Sequence, residues 1–392
     1  NINRNNTRSG LQKPTPMRIA VIKETQFKEN RVAITPDVAK DLISKGFQVQ
    51  VQTDAGVSSF FSNEAYRAVG AEVKDDVVAL YKDADIVLRV NAPAPAEIAL
   101  MKKDAVLISF MFAATSHELV EACCKANISA FSMDAVPRIS RAQKMDALSS
   151  QANLAGYKSV ILAADTLGKI LPMMTTAAGT IKPAKVVIFG AGVAGLQAIA
   201  TAKRLGAVVE VSDIRPDTKE QVESLGGRFI EVPVDNTIKV EGGYVRSVSE
   251  EFLKKQQETV AKHVKEADIV ITTALIPGKK APVLVTEDMV KSMRFGSVIL
   301  DMAVEQGGNV VGSELNKNVN KHGVTIIGES NIPSLLPMNA SDLYAKNIQT
   351  FLYHLASKDG FKWEMDEEIT KGSLIVHKGQ AVHPSVKSAV NA

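Results

Sequence analysis

Lys185-Val186-Val187-Ile188-Phe189-Gly190-Ala191-Gly192-Val193-Ala194-Gly195-Leu196-Gln197-Ala198 is the stretch on which the reading of this chain turns. A short apolar run of strand type leads straight into three glycines spaced G-x-G-x-x-G, and an Ala-rich helical pattern continues over residues 193–205. Spaced glycines alone are common in turns, but at a strand-to-helix junction each has a physical task. Gly190 permits the tight turn, Gly192 lets the backbone approach a pyrophosphate, and Gly195 lets helix and strand pack closely. The helix start then offers free N–H groups and the positive end of its dipole to the phosphates. Ala191, Val193 and Ala194 supply the intervening backbone.

The next strand, residues 208–211, leads to Asp213, Ile214 and Arg215. Asp213 lies about 20 residues beyond the glycines, where a carboxylate accepts hydrogen bonds from the adenine-ribose hydroxyls. A carboxylate there repels a 2′-phosphate, so NAD(H) is expected rather than NADP(H), although Arg215 could tolerate the phosphate. Two further segments follow strands, at the carboxyl edge where open α/β sheets bind ligands: residues 272–278 and 301–308. Both are read as cofactor walls, with Thr273, Ala274 and Leu275 as expected contacts.

Strand-like runs alternate with helical stretches in both directions from this motif. Upstream, strands are expected at residues 18–22, 47–51, 85–90, 105–110 and 128–133, with helices at 36–46, 64–69 and 117–125. A long helical segment over 142–171 leads to a hairpin-like excursion at 172–183. Downstream strands are expected at 268–272, 297–300 and 325–327, then a helix at 341–355 that crosses back and a terminal hairpin at 373–384. The fold class is therefore α/β, with two Rossmann-like open parallel-sheet domains. The expected boundaries are 149–337 for the NAD(H)-binding domain and 17–148 plus 338–392 for a discontinuous first domain. Residues 1–16 read as a linker or a tag scar.

Bulk properties exclude several classes. At 392 residues two domains are the sensible expectation, and 45% hydrophobic with 23% charged residues is an ordinary globular balance. A net charge of +3, with lysines and arginines dispersed, leaves no nucleic-acid footprint. The two cysteines, Cys123 and Cys124, are adjacent, which suits neither a disulfide framework nor a metal site and fits a reducing compartment. No apolar run is long enough to span a membrane.

The densest polar stretch is Pro137-Arg138-Ile139-Ser140-Arg141-Ala142-Gln143-Lys144-Met145-Asp146-Ala147-Leu148-Ser149-Ser150. It reads either as a solvated helix start, with Ser140 as a candidate cap, or as a loop presenting Arg138, Gln143, Asp146 and Ser149 to a ligand.

The segments RVAITPDV, VPRISRAQKMDALSSQANLAGY, VVIFGAGVAGLQAIATAKRLGA, TKEQVESLGG and ITTALIPGKKAPVL resemble the NAD(H)-binding component, domain I, of proton-translocating NAD(P) transhydrogenases, from about Met17 to the C-terminus. Alanine dehydrogenase shares this fold and is the alternative. The resemblance implies that Arg138, Gln143, Asp146 and Ser149 contact the nicotinamide, its ribose and the pyrophosphate. It matches Tyr244, after Gly242-Gly243, to a mobile loop that closes over nucleotide, and the hairpin near Met173 to an arm that embraces a second protomer, giving a homodimer. It implies two further partners, an NADP(H)-binding domain and a membrane proton-channel domain, and places this chain at a membrane without spanning it. Alanine dehydrogenases need a lysine to polarise the keto oxygen and a histidine for proton transfer. The aligned positions here hold Asn91 and Phe112, which do neither, while Arg31 is retained.

Overall fold

The computed structural model describes residues 16–232, 239–241, 244–247, 249–276 and 278–386. Nearly all of the linker expected at 1–16, and the Gly242-Gly243 hinge, lie outside the described residues. The chain divides into two compact units: one takes the described residues up to Glu24, Val32–Pro137 and those from Ala345 onward, and the other takes Thr25–Arg31 and Arg138–Tyr344.

The second unit is built on a sheet ordered Arg228–Phe229, Val208–Ser212, Lys185–Phe189, Ile269–Thr272, Val298–Asp301, Val324–Ile327, Asn318–Lys321. All neighbours are parallel except the last pair, a hairpin closed by His322 and Gly323, both at positive φ. Along Lys185–Phe189 the side chains alternate between two cores, as strand geometry requires. Val186 and Ile188 join the core under the helices Ala147–Thr166 and Val193–Arg204, while Val187 and Phe189 join the one under Glu250–Glu266. Burial on both faces explains why this strand is a continuous apolar run. Strand order reverses between Lys185–Phe189 and Ile269–Thr272, the switch point at which such sheets open a crevice.

The first unit repeats that order. Glu72–Lys74, Gln48–Gln52, Arg18–Val21, Ile86–Asn91, Val106–Phe110 and Ser129–Ser132 are parallel neighbours, and Leu374–His377 and Gln380–Ala381 add two antiparallel strands.

Local chemistry moved several element bounds. The helix expected from residue 142 begins at Ala147, because Asp146 caps it and a 3-10 helix, Ser140–Met145, precedes it. The helix expected from 341 starts at Pro337, a residue whose missing N–H is no loss in a first turn. The second unit opens at Arg138 rather than at 149, so the whole polar stretch belongs with the glycine turn.

Candidate functional site

The glycine turn has the close contacts its spacing demands. Gly190 sits at φ +99°, and a Cβ there would lie 2.3 Å from Thr273 Oγ1. A Cβ on Gly195 would lie 1.8 Å from the Gly190 carbonyl oxygen, so the first helical turn closes onto the turn before it. A Cβ on Gly192 would meet nothing within 4 Å and would fill open space instead. No side chain among the described residues caps Val193–Arg204, so its first N–H groups are left for a ligand.

Asp213 is buried and tied to this turn. Its Oδ2 accepts from the Ala191 N–H at 2.6 Å and from Arg215 Nη2 at 3.0 Å, and its Oδ1 accepts from the Arg215 N–H and Nε. Arg215 therefore folds back onto the carboxylate, and the opposing charges meet at the expected ribose position.

These groups line one cavity of about 720 Å³, within the usual range for a small-molecule site. Gly190, Gly192, Asp213, Ile214, Arg215, Thr273, Ala274 and Leu275 all reach it, so the structure brings together the cofactor contacts expected from widely separated segments. Leu253, Pro282 and Leu284 add apolar walls suited to a flat base. Gln256 sits among them, 3% exposed. Its Nε2 donates to Ser212 Oγ at 3.2 Å, while its buried Oε1 has no hydrogen-bond partner among the described residues. A buried acceptor facing a cavity calls for a ligand donor, such as an exocyclic amine. The open space at Gly192, the uncapped helix and the unpartnered Gln256 oxygen all fit a bound dinucleotide.

Gln256 and its helix escaped the sequence reading. The signal was Phe252, Gln256, Val260 and Val264, a four-residue spacing that puts the glutamine on the buried stripe of Glu250–Glu266.

Residues 138–149 stand apart from that cavity, whose lining among the described residues includes none of Arg138, Gln143, Asp146 or Ser149. Arg138 and Gln143 are exposed. The cap of the following helix is Asp146, not Ser140: its Oδ1 accepts from the Ser149 N–H at 2.9 Å and its Oδ2 from Ser149 Oγ at 2.6 Å. The capped helix packs against the glycine-turn helix, and a Cβ on its Gly156 would lie 2.1 Å from the Ala194 carbonyl oxygen. Tyr244 opens the strand Tyr244–Ser247, paired with Glu241 across the hairpin.

Arg31 is buried against Glu29, with Nε and Nη2 on its two carboxylate oxygens at 2.8 Å each, and it also donates to Gln151 and Asn331. In the first unit, Asn91 ends its strand, and Phe112, 53% exposed at φ +47°, donates its N–H to Asp134. Cys123 is buried, which pushes its thiol up to about 12, away from reactivity. Among the described residues no cluster of His, Cys, Asp or Glu is placed to hold a metal ion, and no helix is long and apolar enough to cross a membrane.

Two family models match in tandem: "Alanine dehydrogenase/PNT, N-terminal domain" over residues 20–155 and "Alanine dehydrogenase/PNT, C-terminal domain" over 159–384. The first of the separately encoded pieces of the NAD(P) transhydrogenase alpha subunit of Rhodospirillum rubrum is 49% identical over 379 residues, covering 94% of this chain and 99% of that one. A solved transhydrogenase from Sinorhizobium meliloti superposes with a TM-score of 0.82 at 43% identity, covering 94% and 99% of the two chains. Alanine dehydrogenase of Bacillus subtilis is 31% identical over 378 residues, covering 94% of each.

Proposed function

The chain belongs to the alanine dehydrogenase/PNT family, and from that premise we propose that it is the NAD(H)-binding component of a proton-translocating, Re/Si-specific NAD(P) transhydrogenase. When bound, NADH supplies a hydride that goes directly to NADP+ on a separate domain, and a membrane domain couples the transfer to proton movement. The chain's own residues hold and aim the donor. The turn from Gly190 to Gly195 and its helix start take the pyrophosphate. Asp213 accepts from the ribose, and Leu253, Gln256, Pro282 and Leu284 enclose the adenine. Arg138, Gln143, Asp146 and Ser149 form the nicotinamide end, and the Tyr244 loop closes over the nucleotide. The exposed hairpin of Met174–Thr176 and Gly179–Ile181 is the arm of a homodimer.

The observation that carries this reading is the cavity's chemistry. Its only ionisable lining residues among those described, Asp213 and Arg215, neutralise each other, and no group is poised as acid or base. Hydride exchange between two nicotinamides needs none, because no proton is shuttled; approach geometry and exclusion of water suffice. Oxidation of an amino acid needs both a polarising cation and a proton acceptor. Asn91 and Phe112 stand where the resemblance places those groups, and the Arg31 charge is already met by Glu29. Substitutions at the nicotinamide end test the reading. In a mixture with an NADP(H)-binding domain, Gln143→Ala and Tyr244→Phe should slow hydride transfer more than they weaken NADH binding. Equal losses in both would contradict the assigned roles.

A further inference from the structure

Behind the cavity wall lies a buried polar pair that touches neither the cavity nor solvent. Asp301 and Asn309 are both fully buried. Asp301 ends the strand Val298–Asp301 and gathers four donors: Thr272 Oγ1 and the N–H groups of Ala303, Asn309 and Val310. It thereby fixes where the Asn309 backbone sits. The Asn309 side chain then reaches residues 274–284, which supply one wall of the cavity. Its Oδ1 accepts from the Ala274 N–H at 3.1 Å, and its Nδ2 donates to the Ala274 carbonyl at 2.9 Å and the Pro282 carbonyl at 2.8 Å. The Asn309 carbonyl accepts from the N–H groups of Leu284 and Val285.

We propose that Asn309, anchored by Asp301, is a positioning residue for the cofactor, setting the adenosine-side wall at Ala274, Pro282 and Leu284 before the nucleotide arrives. A carboxamide suits the task because one planar group offers both an acceptor and donors, which lets it pair with a peptide unit as a neighbouring strand would. The wall has no such neighbour of its own: beyond the strand Ile269–Thr272 the chain turns away as loop. Without Asn309 the Ala274 N–H and the carbonyls of Ala274 and Pro282 lose buried partners and relax toward water, and water lies on the cavity side. Thr273 passes the constraint to the glycine turn, since its hydroxyl donates to the Phe189 carbonyl at 3.0 Å and lies 3.4 Å from that of Gly190. Wall and turn therefore hold one spacing.

The inference rests on the reading that this cavity holds NAD(H), and its test separates the two. NADH fluorescence titration is run on the unaltered chain, on Asn309→Asp and on Asn309→Ala, at a temperature where circular dichroism shows each variant folded. The dissociation constant is expected to rise about tenfold or more in both variants, the order of unpairing a buried polar group. A folded variant that binds NADH like the unaltered chain would overturn the positioning role, since a purely structural residue would lower only the melting temperature. Hydrogen exchange at the Ala274 amide of the unaltered chain needs no variant. Protection should be present before NADH is added, and fast exchange that slows only on binding would contradict a preset wall. Failure of the unaltered chain to bind NADH would remove the underlying reading, and this inference with it.

Discussion

Replacing Gly156 with alanine sets two contributions of opposite sign against each other. Gly156 is buried within Ala147–Thr166 and far from either end. By helix propensity alone, Gly→Ala there should stabilise the protein by about 1 kcal/mol. A Cβ at this position, however, would lie 2.1 Å from the Ala194 carbonyl oxygen and 2.9 Å from its carbon. Ordinary carbon–oxygen contacts begin near about 3.3 Å, so the two helices must part by roughly 1 Å. Overpacking of this kind costs about 1–3 kcal/mol, which outweighs the propensity gain and leaves a net loss of up to about 2 kcal/mol. The displaced group is part of the glycine turn, so the N–H groups meant for the pyrophosphate move with it. Misplacements of about 1 Å can cost up to about a hundredfold in rate, and a rise of about tenfold or more in the NADH dissociation constant is expected. Thermal melting and NADH titration of the same preparation read both effects. A variant that melts higher than the parent and binds NADH equally well would refute the claim that the two helices are in obligatory contact.

Arg215→Met should leave NADH binding largely intact while weakening NADPH by about tenfold, because it removes a cation beside the 2′ position and leaves Asp213 charged; affinities for both nucleotides falling in step would count against that assignment. Acid stability should depend on Glu367, which burial pushes upward but which hydrogen bonds from His354 and from the Thr370 and Ile369 backbone hold at about 2 against an ordinary 4.5. A folded value below the unfolded one means stabilisation that is complete above about pH 4.5 and lost as the pH falls toward 2. Glu367→Gln should therefore be less stable by roughly 2 kcal/mol at pH 7, with the gap closing in acid. A melting-temperature difference that does not change with pH would contradict this.

What could be read from the sequence tracks how local the causes are. Lys185–Phe189 was legible to the residue, because a strand buried on both faces must be apolar throughout and glycine must follow where φ turns positive. Asp213 was legible from its spacing to the glycines. The Asp146 cap was misassigned to Ser140, since both residue types cap helices and the intervening 3-10 turn leaves no periodic trace. Gln256, Pro282, Leu284 and Asn309 could not be placed in advance. They converge through sheet topology from separate loops and helices, and a glutamine on an otherwise apolar stripe carries no label until a cavity is seen beside it. Gly156 left a faint mark, as an isolated glycine inside a helical pattern, but its partner Ala194 is visible only in the packed structure.

The central claim is that the reaction partner is a second nicotinamide nucleotide on another protein domain. Mixing the chain with a heterologous NADP(H)-binding transhydrogenase domain, NADPH and a chromogenic NAD+ analogue tests it most directly. Reduction of the analogue should require both proteins, and the chain by itself should leave NAD+ unreduced with alanine and NADH unoxidised with pyruvate and ammonia. Partner-free turnover of alanine, or no hydride exchange in the mixture despite tight NADH binding, would contradict the account.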